Sequence, residues 1–214
     1  MLFTDFIWDF DGMLFDTYPR MCGLFQRALR QMGCERPADE VMNAIKITVR
    51  QAARDYAARY GFDAQALLTL YHALDHAEPI DSIVPYPGAG EFLRAVMAQG
   101  GRHYLYTHRD AVAVEALRLH GLDDCFTGFV TADDHFPPKP APNALLHLIR
   151  TFNLDPFRAV MLGDRDIDIE AAKNARLSGC LVDPGHYYDG YETPLRASCI
   201  DGLYAALDVP RLAR

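Results

Sequence analysis

Cysteine is scarce in this chain of 214 residues, and the five present (Cys22, Cys34, Cys125, Cys180, Cys199) are odd in number and widely scattered. With no C-x-x-C pair among them, neither a disulfide framework nor a zinc site is expected, and the thiols read as reduced. Long apolar runs are also missing: nothing approaches the about 20 residues a membrane helix needs. The N-terminus, MLFTDFIWDFDG, has no basic region and meets carboxylates at once, so it does not read as a signal peptide and a cytoplasmic location is expected. Basic excess is lacking too. Against 29 Asp+Glu stand 21 Lys+Arg, a net charge of −8, which argues against nucleic acid as a partner because phosphate binding leaves a basic footprint. Internal repeats and low-complexity tracts are absent. What is left, 50% hydrophobic and 23% charged, is the composition of an ordinary globular protein.

The organisation lies in how the texture changes along the chain. Leu2 to Phe10 is a short apolar run suited to a buried strand, stopped abruptly by Asp9-Phe10-Asp11-Gly12. From about Tyr18 to Ala77 the spacing turns helical. Leu24, Ala28, Leu29 and Met32 recur at threes and fours, and the stretches Ala38 to Tyr60 and Asp63 to Ala77 read the same way. A Pro/Gly-rich return, Pro79 to Gly90, follows. Helices and strands then alternate: Glu91–Gln99, strand Arg102–Thr107; Ala111–His120, strand Gly128–Thr131; Pro142–Phe152, strand Ala159–Gly163; Ile167–Arg176, strand Gly179–Val182. That alternation implies an α/β fold, a Rossmann-like parallel sheet with helices on both faces. Residues 18–84 carry eight basic and eight acidic side chains, so the whole net charge belongs to the rest of the chain. The expected architecture is a core of residues 1–17 and 85–214, interrupted after its first strand by an all-helical insert at 18–84.

In open parallel sheets ligands bind beyond the carboxyl ends of the strands. Those ends hold Asp9 and Asp11, Thr107 followed by His108, and Asp164 with Asp166 and Asp168; Lys139 sits in a rigid Pro137-Pro138-Lys139-Pro140 loop. Carboxylates converging from two strand ends repel one another unless a cation joins them, and oxygen ligands favour Mg²⁺. A hydroxyl and an ammonium complete a pocket suited to a phosphoryl group. The Asp164-x-Asp166-x-Asp168 run fails as a calcium loop, having Ile169 in the glycine position and Ala175 in the glutamate position.

Asp9-Phe10-Asp11-Gly12-Met13-Leu14-Phe15-Asp16, Thr107, Lys139 and Gly163-Asp164-x-x-x-Asp168 resemble the four ordered motifs of the haloacid dehalogenase superfamily. The insert after the first motif resembles the helical cap of its phosphoglycolate phosphatase and β-phosphoglucomutase branch. The resemblance implies that Asp9 is a nucleophile forming an aspartyl-phosphate and Asp11 the general acid and base. It implies that Thr107 and Lys139 bind phosphate, and that Asp9, Asp11, Asp164 and Asp168 serve a Mg²⁺ ion. His108 is expected at the pocket. Lys46 and Arg50, placed with Arg54 on one face of a cap helix, are expected to meet an anionic part of the substrate. Met13 stands where these families usually carry Thr or Val, and Thr17-Tyr18-Pro19-Arg20-Met21 lacks the cap histidine of the mutases.

The expectation is therefore a Mg²⁺-dependent phosphatase acting on a small phosphorylated metabolite, with a cap that closes over substrate and with no obligate protein partner. Phosphoglycolate is the substrate the resemblance names. A phosphomutase sharing the same core stands second, since the missing histidine leaves water as the acceptor. A non-catalytic phosphate-binding module stands third, because Asp9, Asp11 and Lys139 are all present.

Overall fold

The computed structural model describes residues 1–212. Six parallel strands form one sheet: β1 (Asp5–Trp8), β2 (Arg102–Tyr106), β3 (Phe126–Val130), β4 (Ala159–Gly163), β5 (Ser178–Val182) and β6 (Leu195–Ala197), in the order β3-β2-β1-β4-β5-β6. β1 is central, and all four of its residues are buried, as are all five of β4. A parallel strand covered on both faces has no solvent side, which is why FIW, after the Arg102-paired Asp5, and AVML read as unbroken apolar runs. Trp8 pairs with Leu105 of β2 and with Leu162 of β4. The chain therefore leaves these three neighbouring strands almost level, at Asp9, Thr107 and Asp164.

The covering helices are α5 (Ala89–Ala98), α6 (Val112–Leu119), α7 (Asn143–Phe152), α8 (Asp166–Asn174) and the single turn α9 (Leu203–Ala206). They belong to a compact unit made of Met1–Asp16 and the chain from Val84 onward. The outgoing and returning segments of this unit lie side by side, with the Asp16 amide donating to the Val84 carbonyl at 2.9 Å and the Tyr86 amide to Leu14 at 3.0 Å.

Thr17–Ile83 form a second compact unit. It holds α1 (Tyr18–Gln31), α2 (Ala38–Ile47), α3 (Val49–Tyr60) and α4 (Ala64–Ala77), packed around Phe25, Leu29, Val41, Ile45, Tyr56, Leu67 and Tyr71. The buried Arg20 guanidinium ties α1 to the end of α4 through Asp75, the Pro79 carbonyl and Ser82. Among the described residues no helix is long and apolar enough to cross a membrane.

Two features depart from the sequence reading. The helical stretch Ala38 to Tyr60 is broken at Thr48, whose backbone is extended (φ −162°, ψ 148°) and whose hydroxyl accepts the Gln51 amide at 2.9 Å. A threonine that caps a helix leaves the helical path itself, so Lys46 on α2 and Arg50 and Arg54 on α3 do not share a helix face. Beyond Val182, β6 and α9 extend the core. The buried Asp183 carboxylate organises that segment by accepting the amides of Tyr187 and Tyr188 and the Arg196 guanidinium at 2.8–3.1 Å.

One buried histidine couples the sheet to pH. The His103 ring on β2 accepts the Trp8 indole N–H at Nδ1 (2.9 Å) and donates from Nε2 to the Leu93 carbonyl (3.0 Å). That arrangement needs a neutral ring, and burial pulls its pKa from 6.5 down to about 4. A base with a depressed folded-state pKa gives stability that is complete above the unfolded value and lost as pH falls from about 6.5 toward 4. Urea unfolding at pH 7 and pH 5 should show a loss of about 2 kcal/mol from this residue. His103→Asn should lack that part of the slope, and equal slopes in the two proteins would remove His103 as its source.

Candidate active site

Asp9 follows β1 directly, its amide bonded to the Leu162 carbonyl at 2.8 Å. Gly12, at φ +79°, then turns the chain, and the Phe10 and Phe15 rings stack 4.4 Å apart to hold the turn. A left-handed φ is costly for any residue with a Cβ, which explains the glycine. The Asp9 carboxylate is buried. Its Oδ1 accepts the Phe10 amide at 2.8 Å and lies 2.9 Å from Lys139 Nζ; its Oδ2 lies 3.4 Å from Arg165 Nη2. Burial alone would raise this carboxyl, but Lys139 and Arg165 outweigh it and hold Asp9 below the usual carboxylate range.

The Lys139 ammonium has no exposure to solvent and is also 2.8 Å from Asp168 Oδ1 and 4.7 Å from the Tyr106 ring centroid. Desolvation opposes its charge, yet the two carboxylates win and its pKa is raised. Asp168 goes the other way. Fully buried, and with Asp9 and Asp164 nearby, it is pushed up to about 6 even though Lys139 pulls against that shift. Its second oxygen accepts the Arg165 backbone amide at 3.1 Å at the start of α8.

α8 comes this close only because two glycines face it. A Cβ at Gly163 would overlap the Asp168 side chain, whereas one at Gly179 would meet Ile169 atoms at 3.1–3.2 Å. Asp164, the next residue after Gly163, is buried, with Oδ1 3.7 Å from Arg165 Nε.

Asp11, Thr107, His108, Lys46 and Arg50 were also expected at the site. The Asp11 carboxylate turns to Arg109, which reaches Oδ1 at 2.9 and 3.0 Å and Oδ2 at 3.3 Å. Thr107 is buried, and its hydroxyl oxygen accepts the Arg109 amide at 3.0 Å. His108 is exposed, and its Nε2 accepts the Lys139 amide at 2.9 Å, which fastens the lysine loop to the end of β2. Lys46 is buried, its ammonium 3.7 Å from the Tyr18 ring centroid, and Arg50 is exposed.

Among the described residues, Asp9, Asp164 and Asp168 are the set that could hold a metal, each offering one buried carboxylate oxygen and all within 4.8 Å of one another. Hard oxygen donors with no imidazole or thiolate fit a hard divalent cation. The Asp11 carboxylate is not in this set. Sequence reasoning missed Arg109, Arg165 and Tyr106. The available signal was charge balance, since clustered buried carboxylates require cations nearby.

The model of the haloacid dehalogenase-like hydrolase family matches residues 6–182, and the chain belongs to that family. It is 28% identical over 195 residues to a phosphoglycolate phosphatase of Psychrobacter arcticus, covering 85% of this chain and 84% of that one. It is 25% identical to the pyrophosphatase PpaX of Listeria monocytogenes, covering 80% and 79%. Among solved structures, a hydrolase from Streptococcus pneumoniae TIGR4 superposes with a TM-score of 0.67 at 28% identity, over 98% of this chain and all of that one.

The two glycines provide a graded test of how tightly α8 is docked. Gly163→Ala should cost about 1–3 kcal/mol by overpacking against Asp168 and lower the melting temperature by several degrees. Gly179→Ala should cost clearly less, because Ile169 can yield by a few tenths of an ångström. Equal melting temperatures for the two variants would contradict this account of the docking.

Proposed function

We propose that this hydrolase is a Mg²⁺-dependent phosphatase that cleaves a small phosphorylated metabolite through an aspartyl-phosphate on Asp9, and that it works in the cytoplasm. The observation that carries the reading is the state of Asp9. A buried carboxylate kept ionised by Lys139 and Arg165, at the end of the central strand, is a nucleophile already stripped of bulk water.

In the first half-reaction an Asp9 oxygen forms a bond to phosphorus as the bond to the leaving oxygen breaks, and Asp11 gives that oxygen a proton. In the second, Asp11 takes a proton from the water that attacks the phospho-aspartate, releasing phosphate and restoring Asp9. Arg109 occupies both Asp11 oxygens, so this pair must open before Asp11 delivers a proton. Thr107 and Lys139 bind the phosphoryl oxygens, and Lys139 offsets their growing charge. Asp9, Asp164 and Asp168 would hold the metal, which when bound supplies further neutralisation of the phosphoryl oxygens.

The helical unit is proposed to select the substrate, with Lys46 and Arg50 reading its anionic remainder and His108 supporting the phosphate subsite. The relatives' names put phosphoglycolate first among the candidates, with pyrophosphate in the same panel.

Phosphate release from phosphoglycolate, sugar phosphates, nucleotides and pyrophosphate, measured with Mg²⁺ and with EDTA, tests the reading. One ester should stand well above the rest, and EDTA should abolish its turnover. Asp9→Asn should lower kcat by about 10⁴-fold or more. Substantial Mg²⁺-dependent release by that variant would sink the proposal. On the favoured substrate, Arg50→Ala should raise KM several-fold with kcat kept, and an unchanged KM would remove Arg50 from substrate reading.

A further inference from the structure

Arg165 lies inside the acidic cluster. It is the residue between Asp164 and Asp166, and its side chain is only 11% exposed. The guanidinium reaches Asp9 Oδ2 at 3.4 Å and Asp164 Oδ1 at 3.7 Å, and these two residues supply two of the three carboxylates able to hold a metal. We propose that Arg165 is a built-in competitor for the divalent cation: its guanidinium and the metal take the same carboxylates in turn, and Arg165 swings away when the metal binds. This inference rests on the metal-binding reading above and adds a residue that sets the affinity.

Charge counting supports an exchange over joint occupancy. Asp9, Asp164 and Asp168 bring three negative charges, and Lys139, locked between Asp9 and Asp168, returns one positive charge. The two left over equal the charge of one divalent cation. Arg165 cancels one of them, so its presence halves the attraction a cation would feel, and like charges a few ångströms apart in a buried site repel strongly. The exchange is also mechanically simple. The Arg165 backbone amide, which donates to Asp168 Oδ2, is separate from the side chain, so the long stem can turn outward while the start of α8 stays in place. Whenever no metal is bound, Arg165 keeps the clustered carboxylates from lying buried and uncompensated, a costly arrangement.

The test is Mg²⁺ binding by calorimetry to the full chain, with no substrate. Arg165→Gln and Arg165→Met remove the charge and keep most of the length; each should bind Mg²⁺ about tenfold more tightly than wild type. In EDTA both should melt below wild type, and Mg²⁺ should raise their melting temperatures by more than it raises that of wild type. In the wild-type protein, Mg²⁺ should convert the Arg165 Nε–H from slow to fast exchange by NMR, a readout that needs no variant to fold. Equal or weaker Mg²⁺ binding by the variants, or an Arg165 Nε–H that stays protected with Mg²⁺ bound, overturns the competition and leaves the metal site standing. Absence of Mg²⁺ binding by every protein, wild type included, removes the metal reading and the competition with it.

Discussion

Lys139 joins two carboxylates from distant parts of the chain. Its buried ammonium lies within hydrogen-bonding distance of Asp9, at the beginning of the chain, and of Asp168, some 160 residues later. A buried cation of this kind is tolerable only while both carboxylates face it, and each carboxylate is tolerable only beside it. The sheet order satisfies that mutual requirement: β1 lies between β2 and β4, so their ends deliver the acids and the hydroxyl to one edge. The lysine arrives from a proline-rich loop that His108 fastens at its backbone. Removing any partner leaves the others as unpaired charges in a dry place, so the geometry and the stability of the edge cannot be separated.

The same electrostatics sets the protonation states. Asp9 and Asp168 share both Lys139 and Arg165 but shift in opposite directions: at Asp9 the cations outweigh burial, whereas at Asp168 burial together with the neighbouring Asp9 and Asp164 outweighs them. Asp9, the proposed nucleophile, is the one shifted toward its charged form. Arg109 plays a parallel part on Asp11, holding it off the metal-competent trio. Two arginines beside the motif residues thus decide which carboxylates stand ready and which are occupied.

Much of this was legible in the residues. Buried parallel strands give continuous apolar runs, so FIW and AVML marked themselves, and Asp9 and Asp164 at the ends of their strands located the site edge. The alternation of elements after residue 89 gave the sheet. Thr48 was not legible as a break, because Ile47-Thr48-Val49 keeps the helical spacing and contains no Gly or Pro; the cap shows only once the hydroxyl meets the Gln51 amide. Strand β6 is three residues long and depends on contacts made by Asp183, which no local pattern records. Arg109 and Arg165 look like ordinary surface charges in sequence, and only the fold turns them inward.

The proposed mechanism requires that Asp9 itself accept the phosphoryl group. Acid quenching of the enzyme early in turnover of its favoured substrate, followed by mass spectrometry of the peptide spanning β1 and the Gly12 turn, tests it most directly. One phosphoryl group is expected on that peptide, localised to Asp9. Steady release of phosphate with Asp9 unmodified, or with the phosphoryl group on another residue, would contradict it.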